Sequence, residues 1–150
     1  MKKKYISRET EAAYRNTNYV VPMPDKNTVL HVGVASDEIR QLLTDAGASG
    51  VVFMTAHNPF GVFLDEAENT AANHLLQKDL EARFETVMNC YGASPCEEYR
   101  EDSLLAFPVS HSQAIELCCQ YEQNAVLFID AKGVPELVFH PDIQTNHPEV

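Results

Sequence analysis

The segment Thr55-Ala56-His57-Asn58-Pro59 gathers a hydroxyl, an imidazole and a carboxamide at the end of an apolar run. A carboxamide both donates and accepts, so Asn58 can read a ligand's hydrogen-bonding pattern without committing charge. Pro59 biases Asn58 toward an extended backbone, which would aim the amide into a crevice. Asn-Pro also opens ordinary turns, and in that role Asn58 satisfies only its backbone neighbours. His57 brings an imidazole, a side chain suited to proton transfer, although a lone histidine serves more often as a surface or hydrogen-bonded structural residue. Downstream, Asp65-x-x-Glu68-Asn69 brings two carboxylates and an amide to a helix start, and Asn73 follows one turn later on the same face. Capping-box spacing favours a structural role for Asp65 and Glu68, while Asn69 is balanced between cap and ligand contact. Glu101 and Ser103 enter a strand, where burial would raise a carboxyl's pKa and make it a general base. With 22 acidic residues in the chain, solvation is the default for Glu97, Glu98 and Glu101 alike. Gln123-Asn124 precede another apolar strand, where they can recognise a polar ligand or, as expected for Asn124, cap the preceding helix.

Other chemistries find no support in the spacing. No H-x-x-x-H, H-E-x-x-H or His-carboxylate cluster occurs, so neither a metal nor a cofactor is expected. G-x-x-x-x-G-K-[ST], G-x-G-x-x-G and G-x-S-x-G are missing too, which removes the usual phosphate loops and the serine-hydrolase elbow. In Ser110-His111-Ser112 adjacent side chains diverge, and Ser110 is better used as a helix cap. Cys90, Cys96, Cys118 and Cys119 lack C-x-x-C pairing and read as reduced thiols, with one of the adjacent pair facing the core. The formal charge of −11 repels polyanions and anionic membranes, so nucleic acid is an unfavoured partner. No apolar run approaches the ~20 residues of a spanning helix, and polar Ser7 to Glu11 stand where a signal peptide needs its apolar segment. A cytoplasmic location is expected.

The elements that must position these residues follow from periodicity. Thr28 to Val34 reads as a strand, and Ser36 caps a helix with Ile39, Leu42, Leu43 and Ala46 inward and Gly47 at its end. Gly50 to Ala56 is a near-continuous apolar run, the mark of a strand covered on both faces. Strand, helix and strand together predict a right-handed crossover between parallel strands, with ligands held at their carboxyl ends. Asn69 to Phe84 repeats helically; Thr86–Tyr91 and Ser103–Val109 are strands; Ser110-x-x-Gln113 opens a helix; and 125–129 with 136–139 form a hairpin. The expected fold is mixed α+β of the α/β class: one domain over 1–150 with a single mixed sheet in the order β-α-β-α-β-β-α-β-β, helices packed on it and loose ends at 1–10 and 140–150.

Several ordered motifs carry a family resemblance. Tyr14-Arg15-x-Thr17, Thr55-Ala56-His57-Asn58-Pro59, Glu68-Asn69, Tyr99-x-Glu101-x-Ser103 and Tyr121-Glu122-Gln123-Asn124-Ala125 resemble the series of an uncharacterised bacterial family, domain of unknown function three-two-nine-three, from about Tyr14 to Phe139. The sequence departs from that pattern at His57 and Tyr99, where larger aromatics are usual, and at Phe60-Gly61, where a small hydroxyl residue is. The resemblance implies a compact stand-alone bacterial domain and brings no activity with it.

Three functions fit these residues. The first is a binding module whose amide-rich crevice of Thr55, Asn58, Asn69, Asn73, Ser103, Gln123 and Asn124 holds a small polar or nucleotide-like ligand. The second is a metal-independent hydrolase or transferase with Glu101 or Glu68 as base and His57 assisting. The third is a protein-interaction or regulatory domain without a pocket, its protein partner unspecified, for which an acidic surface and strand edges suffice.

Overall fold

A computed structural model describes residues 4–145. In chain order they form β1 (Lys4–Tyr5), α1 (Arg8–Asn16), β2 (Asn18–Pro22), β3 (Asn27–Leu30), α2 (Asp37–Ala46), β4 (Gly50–Met54), α3 (Glu66–Arg83), β5 (Thr86–Ala93), β6 (Arg100–Phe107), α4 (His111–Gln120), β7 (Ala125–Asp130), β8 (Pro135–Phe139) and β9 (Ile143–Gln144), with a 3-10 turn at Pro59–Gly61. The caps decide where the helices begin. Ser36 Oγ accepts the Ile39 N–H, Asp65 Oδ1 accepts the Glu68 N–H, and Ser110 with Gln113 completes a reciprocal capping box. Helix α3 therefore starts three residues before the apolar repeat that predicts it. Gly47, at φ 65°, ends α2 in the left-handed conformation that glycine adopts without penalty.

The fold is mixed α+β, but the single mixed sheet is corrected. Seven strands in the order β3-β2-β5-β6-β4-β7-β8 form one curled sheet in which every neighbouring pair is antiparallel, and β1 pairs with β9 as a separate parallel ribbon. Strands β3 and β4, the pair expected on either side of the α2 crossover, run the same way but are not neighbours, because β2, β5 and β6 lie between them. Strand β3 is half of an edge hairpin with β2, closed where Met23 donates to the Lys26 carbonyl. Asn18-Tyr-Val-Val-Pro carried the missing strand. Residues 4–10 form β1 and the first turn of α1, capped by Ser7, where a loose end was expected. The described part of the other end, up to 145, includes β9; the looseness expected of 1–3 and 146–150 lies outside the described residues.

Strand β4 is buried along its whole length, as its unbroken apolar run predicts. Its side chains alternate between two cores. Val52 and Met54 join Leu76 and Leu80 of α3 and Leu117 of α4 on one face, while Val51 and Phe53 join Ile39 and Leu43 of α2 on the other. Two helices cover the first face and one ten-residue helix packs into the core of the second. Helix α1 has no buried residue, so this second face is filled incompletely near the end of β4. Cys90 and Cys118 are buried and Cys96 and Cys119 exposed, all four as free thiols, and burial pushes the Cys118 thiol up to about 12. No described helix is long and apolar enough to cross a membrane.

Gly50 marks the tightest contact of this core. A Cβ there would lie 2.4 Å from the Val109 carbonyl oxygen and 2.7 Å from the Phe128 ring, whereas a Cβ at Gly47 meets nothing within 4 Å. Gly50→Ala is expected to cost about 1–3 kcal/mol through overpacking, against roughly 1 kcal/mol of backbone strain for Gly47→Ala. Urea denaturation of the two variants measures the difference, and equal midpoints would show that β4 relaxes away from Val109 and Phe128.

Candidate functional site

Antiparallel pairing builds the site. Met54 is opposite Leu104 and Phe53 is opposite both Leu105 and Leu127, so the carboxyl end of β4 meets the beginnings of β6 and β7. Residues 55–58, 101–103 and 123–125 therefore converge, although far apart in sequence. A cavity of about 540 Å³ opens there, on the sheet face that α2 leaves uncovered, with Tyr19, Phe53, Leu127 and Leu137 in its apolar wall. Thr55, His57, Asn58, Glu101, Ser103, Gln123 and Asn124 all contribute to its lining; Asn69, Asn73 and Glu68 do not.

Most of the amides brace the loop and leave little of themselves for a ligand. Asn73 Oδ1 accepts the Ala56 N–H at 2.7 Å and the Thr55 hydroxyl at 3.1 Å, while its Nδ2 donates to the Asp102 carbonyl. Asn69, only 5% exposed, accepts the Asn58 N–H through Oδ1 and donates through Nδ2 to Asn58 Oδ1 and the Leu64 carbonyl. Asn58 Oδ1 also accepts the Leu64 N–H. Gln123 Nε2 donates to the carbonyls of His57 and Tyr121. Asn69 is thus not a helix cap, and Asn58 is not extended: its φ of 45° is left-handed, which asparagine tolerates better than most residues. Asn69 and Asn73 line a second, shallower groove of about 800 Å³ on the far side of the loop. Glu68 is exposed, its backbone capped by Asp65, and contributes to neither space.

The groups with titratable chemistry sit on the cavity side. The Tyr99 hydroxyl donates to Glu101 Oε2 at 2.8 Å, and His57 Nε2 lies 3.9 Å from the same oxygen. Burial raises the Glu101 carboxyl above the ordinary carboxylate range, against the opposing pull of Tyr99 and His57. Asn69 Nδ2 stands 3.4 Å from His57 Nε2. Asn124 does not cap α4; its Nδ2 donates to the Tyr14 hydroxyl oxygen at 3.0 Å and fixes α1 over the cavity. Burial raises the Tyr14 phenol, with the Glu101 charge adding to the effect and the Asn124 bond opposing it. Tyr19 donates to the Tyr14 carbonyl at 2.6 Å and closes the same corner. Residue-type reasoning overlooked Tyr14 and Tyr99 as site residues; their only signal was membership in the ordered motifs. Among the described residues no group of three or more His, Cys, Asp and Glu side chains is placed to hold a metal.

These features define a mixed α+β domain with a mostly apolar cavity whose polar end is built from three strand ends and one covering helix. Residues 54–126, just under half of the chain, match the family described as "Protein of unknown function (DUF3293)", the family that the motifs resemble. The matched stretch runs from the last residue of β4 into β7, so it holds the Asn58–Asn69–Asn73 brace and the Tyr99–Glu101–His57 group, while Tyr14-Arg15-x-Thr17 lies outside it. No curated protein and no solved structure matches the chain.

Two predictions follow from this geometry. Asn69→Ala strips partners from the half-buried Asn58 and Leu64 backbone groups, and at about 1–3 kcal/mol for each orphaned group should cut stability sharply in chemical denaturation; an unchanged midpoint would mean that water replaces the amide. Glu101 acts through pH. The folded protein holds its proton to a higher pH than the unfolded chain, so the charged carboxyl destabilises the fold above its folded-state pKa and is neutral in effect below the ordinary carboxylate range. Glu101→Gln should therefore raise the melting temperature at about pH 8 and lose the gain below about pH 4. A variant less stable than the parent at pH 8 would show that Tyr99 and His57 outweigh burial.

Proposed function

We propose that this domain binds a small molecule in the cavity at the end of β4. The observation that carries the reading is the desolvated Glu101 carboxyl, facing Tyr99 and His57 at the polar end of an otherwise apolar space. Pockets that hold small ligands combine such a wall with a few fixed polar groups. The braced loop supports it, since Asn69, Asn73 and Gln123 spend their hydrogen bonds on holding residues 55–58 in one conformation. The ligand contacts we assign to Glu101, Tyr14, Asn58 and Asn124, with Thr55 and Ser103 below them. Asn69, Asn73 and Gln123 become positioning residues. The acidic charge of −11 argues against nucleic acid and anionic membranes as partners, and four free thiols suit a reducing, cytoplasmic setting.

A second reading makes the same cavity catalytic. It is favoured by one contact, His57 Nε2 at 3.9 Å from a carboxyl whose pKa is already raised, which is the pairing a metal-independent hydrolase or transferase uses to take up and return a proton. Glu68 drops out as the base because it lies outside the cavity.

A thermal-shift screen of small metabolites tests the first reading. A ligand at a hundred times its Kd adds about 2.7 kcal/mol, roughly 5–10 °C for a domain of this size. Ala13→Trp, a bulky group at an exposed position in the cavity lining, should abolish the shift without lowering the unliganded melting temperature. No shift from any metabolite, or a shift that survives the block, would remove the cavity from consideration. The catalytic reading adds a further expectation: His57→Asn keeps ligand affinity and loses turnover, and loss of neither excludes it.

A further inference from the structure

We propose that the ligand of this cavity is an organic cation, an amine or guanidine head on an apolar or aromatic body, seated with the head against Glu101 and the body among the surrounding rings. The inference rests on the binding reading above and names its ligand class. Charge is the first argument. The lining contains one carboxylate, Glu101, one imidazole, His57, and no lysine or arginine, so an anionic head would meet a carboxylate and no permanent positive charge.

The free valence of Glu101 is the second argument. Its Oε2 accepts from Tyr99 and faces His57, while among the described residues no hydrogen bond reaches Oε1. A carboxylate with one oxygen anchored and one open is a receptor for a donor that carries charge. Burial that lifts the Glu101 pKa is the cost such a cation would remove, since bringing a positive charge to the carboxyl favours its ionised form.

The walls supply the third argument. Tyr14, Tyr19, Phe53, Phe63 and Tyr99 line the same space, and the faces of aromatic rings attract ammonium and guanidinium groups. Phe63 is 83% exposed, a large apolar surface at the cavity with no packing role of its own. The net charge of −11 adds a long-range field that concentrates cations around the protein.

Calorimetric titration with matched triplets, arylalkyl amines and guanidines against the alcohols and carboxylates of the same skeletons, decides the matter. The cations should bind about tenfold or more tighter than the alcohols, the factor a charge-assisted hydrogen bond supplies, and the carboxylates should not bind. Affinity for the cations should fall as pH drops, because Glu101, which faces His57 and Tyr99, gains its proton; the phenols of Tyr14, Tyr19 and Tyr99 stay neutral throughout. Glu101→Gln should erase the preference of amine over alcohol while keeping the weak binding of both. Phe63→Ala, at an exposed position, should weaken the cations several-fold with the preference intact. Alcohols or carboxylates binding as tightly as the amines, blocked by Ala13→Trp, would overturn the cation assignment and leave the cavity reading standing. Failure of every member of the panel to bind would overturn both.

Discussion

A chain leaving a fully buried strand loses its sheet partners where water is also scarce, and each backbone group stranded there costs about 1–3 kcal/mol. At the end of β4 side-chain amides meet that demand. Asn73 takes the Ala56 N–H, Asn69 takes the Asn58 N–H, Asn58 takes the Leu64 N–H and Gln123 gives to the His57 carbonyl. Because the donors and acceptors come from α3, from the loop itself and from the entry to β7, the same bonds that satisfy the backbone also tie these elements together. They hold the loop in conformations it would not choose alone: Asn58 and Phe60 both have positive φ, and the Phe60 N–H is fixed by the Glu122 carbonyl. Strain of this kind persists only where surroundings over-determine it.

The rigid loop in turn sets the electrostatics of the cavity. His57 is carried by the braced segment and Glu101 by the first residues of β6, so their separation is fixed by the sheet register and does not depend on the flexibility of either side chain alone. Tyr99 reaches Glu101 from two residues away along the same strand entry. A carboxyl placed this way is partly desolvated and partly compensated. Burial outweighs its two partners, which leaves it above its ordinary range and responsive to whatever enters the cavity. Helix α1 lines the cavity with Ala13, Tyr14 and Asn16 and is held there at Tyr14, by the bond from Asn124 and the one between Tyr19 and the Tyr14 carbonyl, with no buried apolar side chain of its own.

Local signals in the sequence were strong where one face or both faces of an element are buried. The caps of α2 and α4 and the apolar run of β4 were legible because each depends on neighbours within a few residues. Helix α1 was not, since it buries nothing and so carries no apolar stripe. Sheet order was not, because the position of β5 and β6 between β2 and β4 is decided by pairing across long sequence separations. The use of the polar set was not legible, because an amide's donor and acceptor capacity suits backbone bracing as well as ligand recognition, and which of the two it serves depends on partners distant in sequence. Tyr14 belongs to the same lesson, being 110 positions from the Asn124 that holds it.

Topology explains why this site differs from the carboxyl-end crevice of a parallel sheet. There, parallel strands feed successive helices whose N-termini face the crevice and attract phosphates. Here β6 and β7 run against β4, so the same edge receives the beginnings of two strands and the start of only one helix, α3. That helix start is already supplied with negative charge by Asp65, Glu66 and Glu68, and Asp65 occupies one of its free N–H groups. An anion finds neither an open helix terminus here nor a lysine or arginine in the cavity lining. What the antiparallel arrangement leaves instead is a carboxyl, three phenols and the faces of aromatic rings, a set of acceptors and π-surfaces whose natural complement is a donor carrying positive charge.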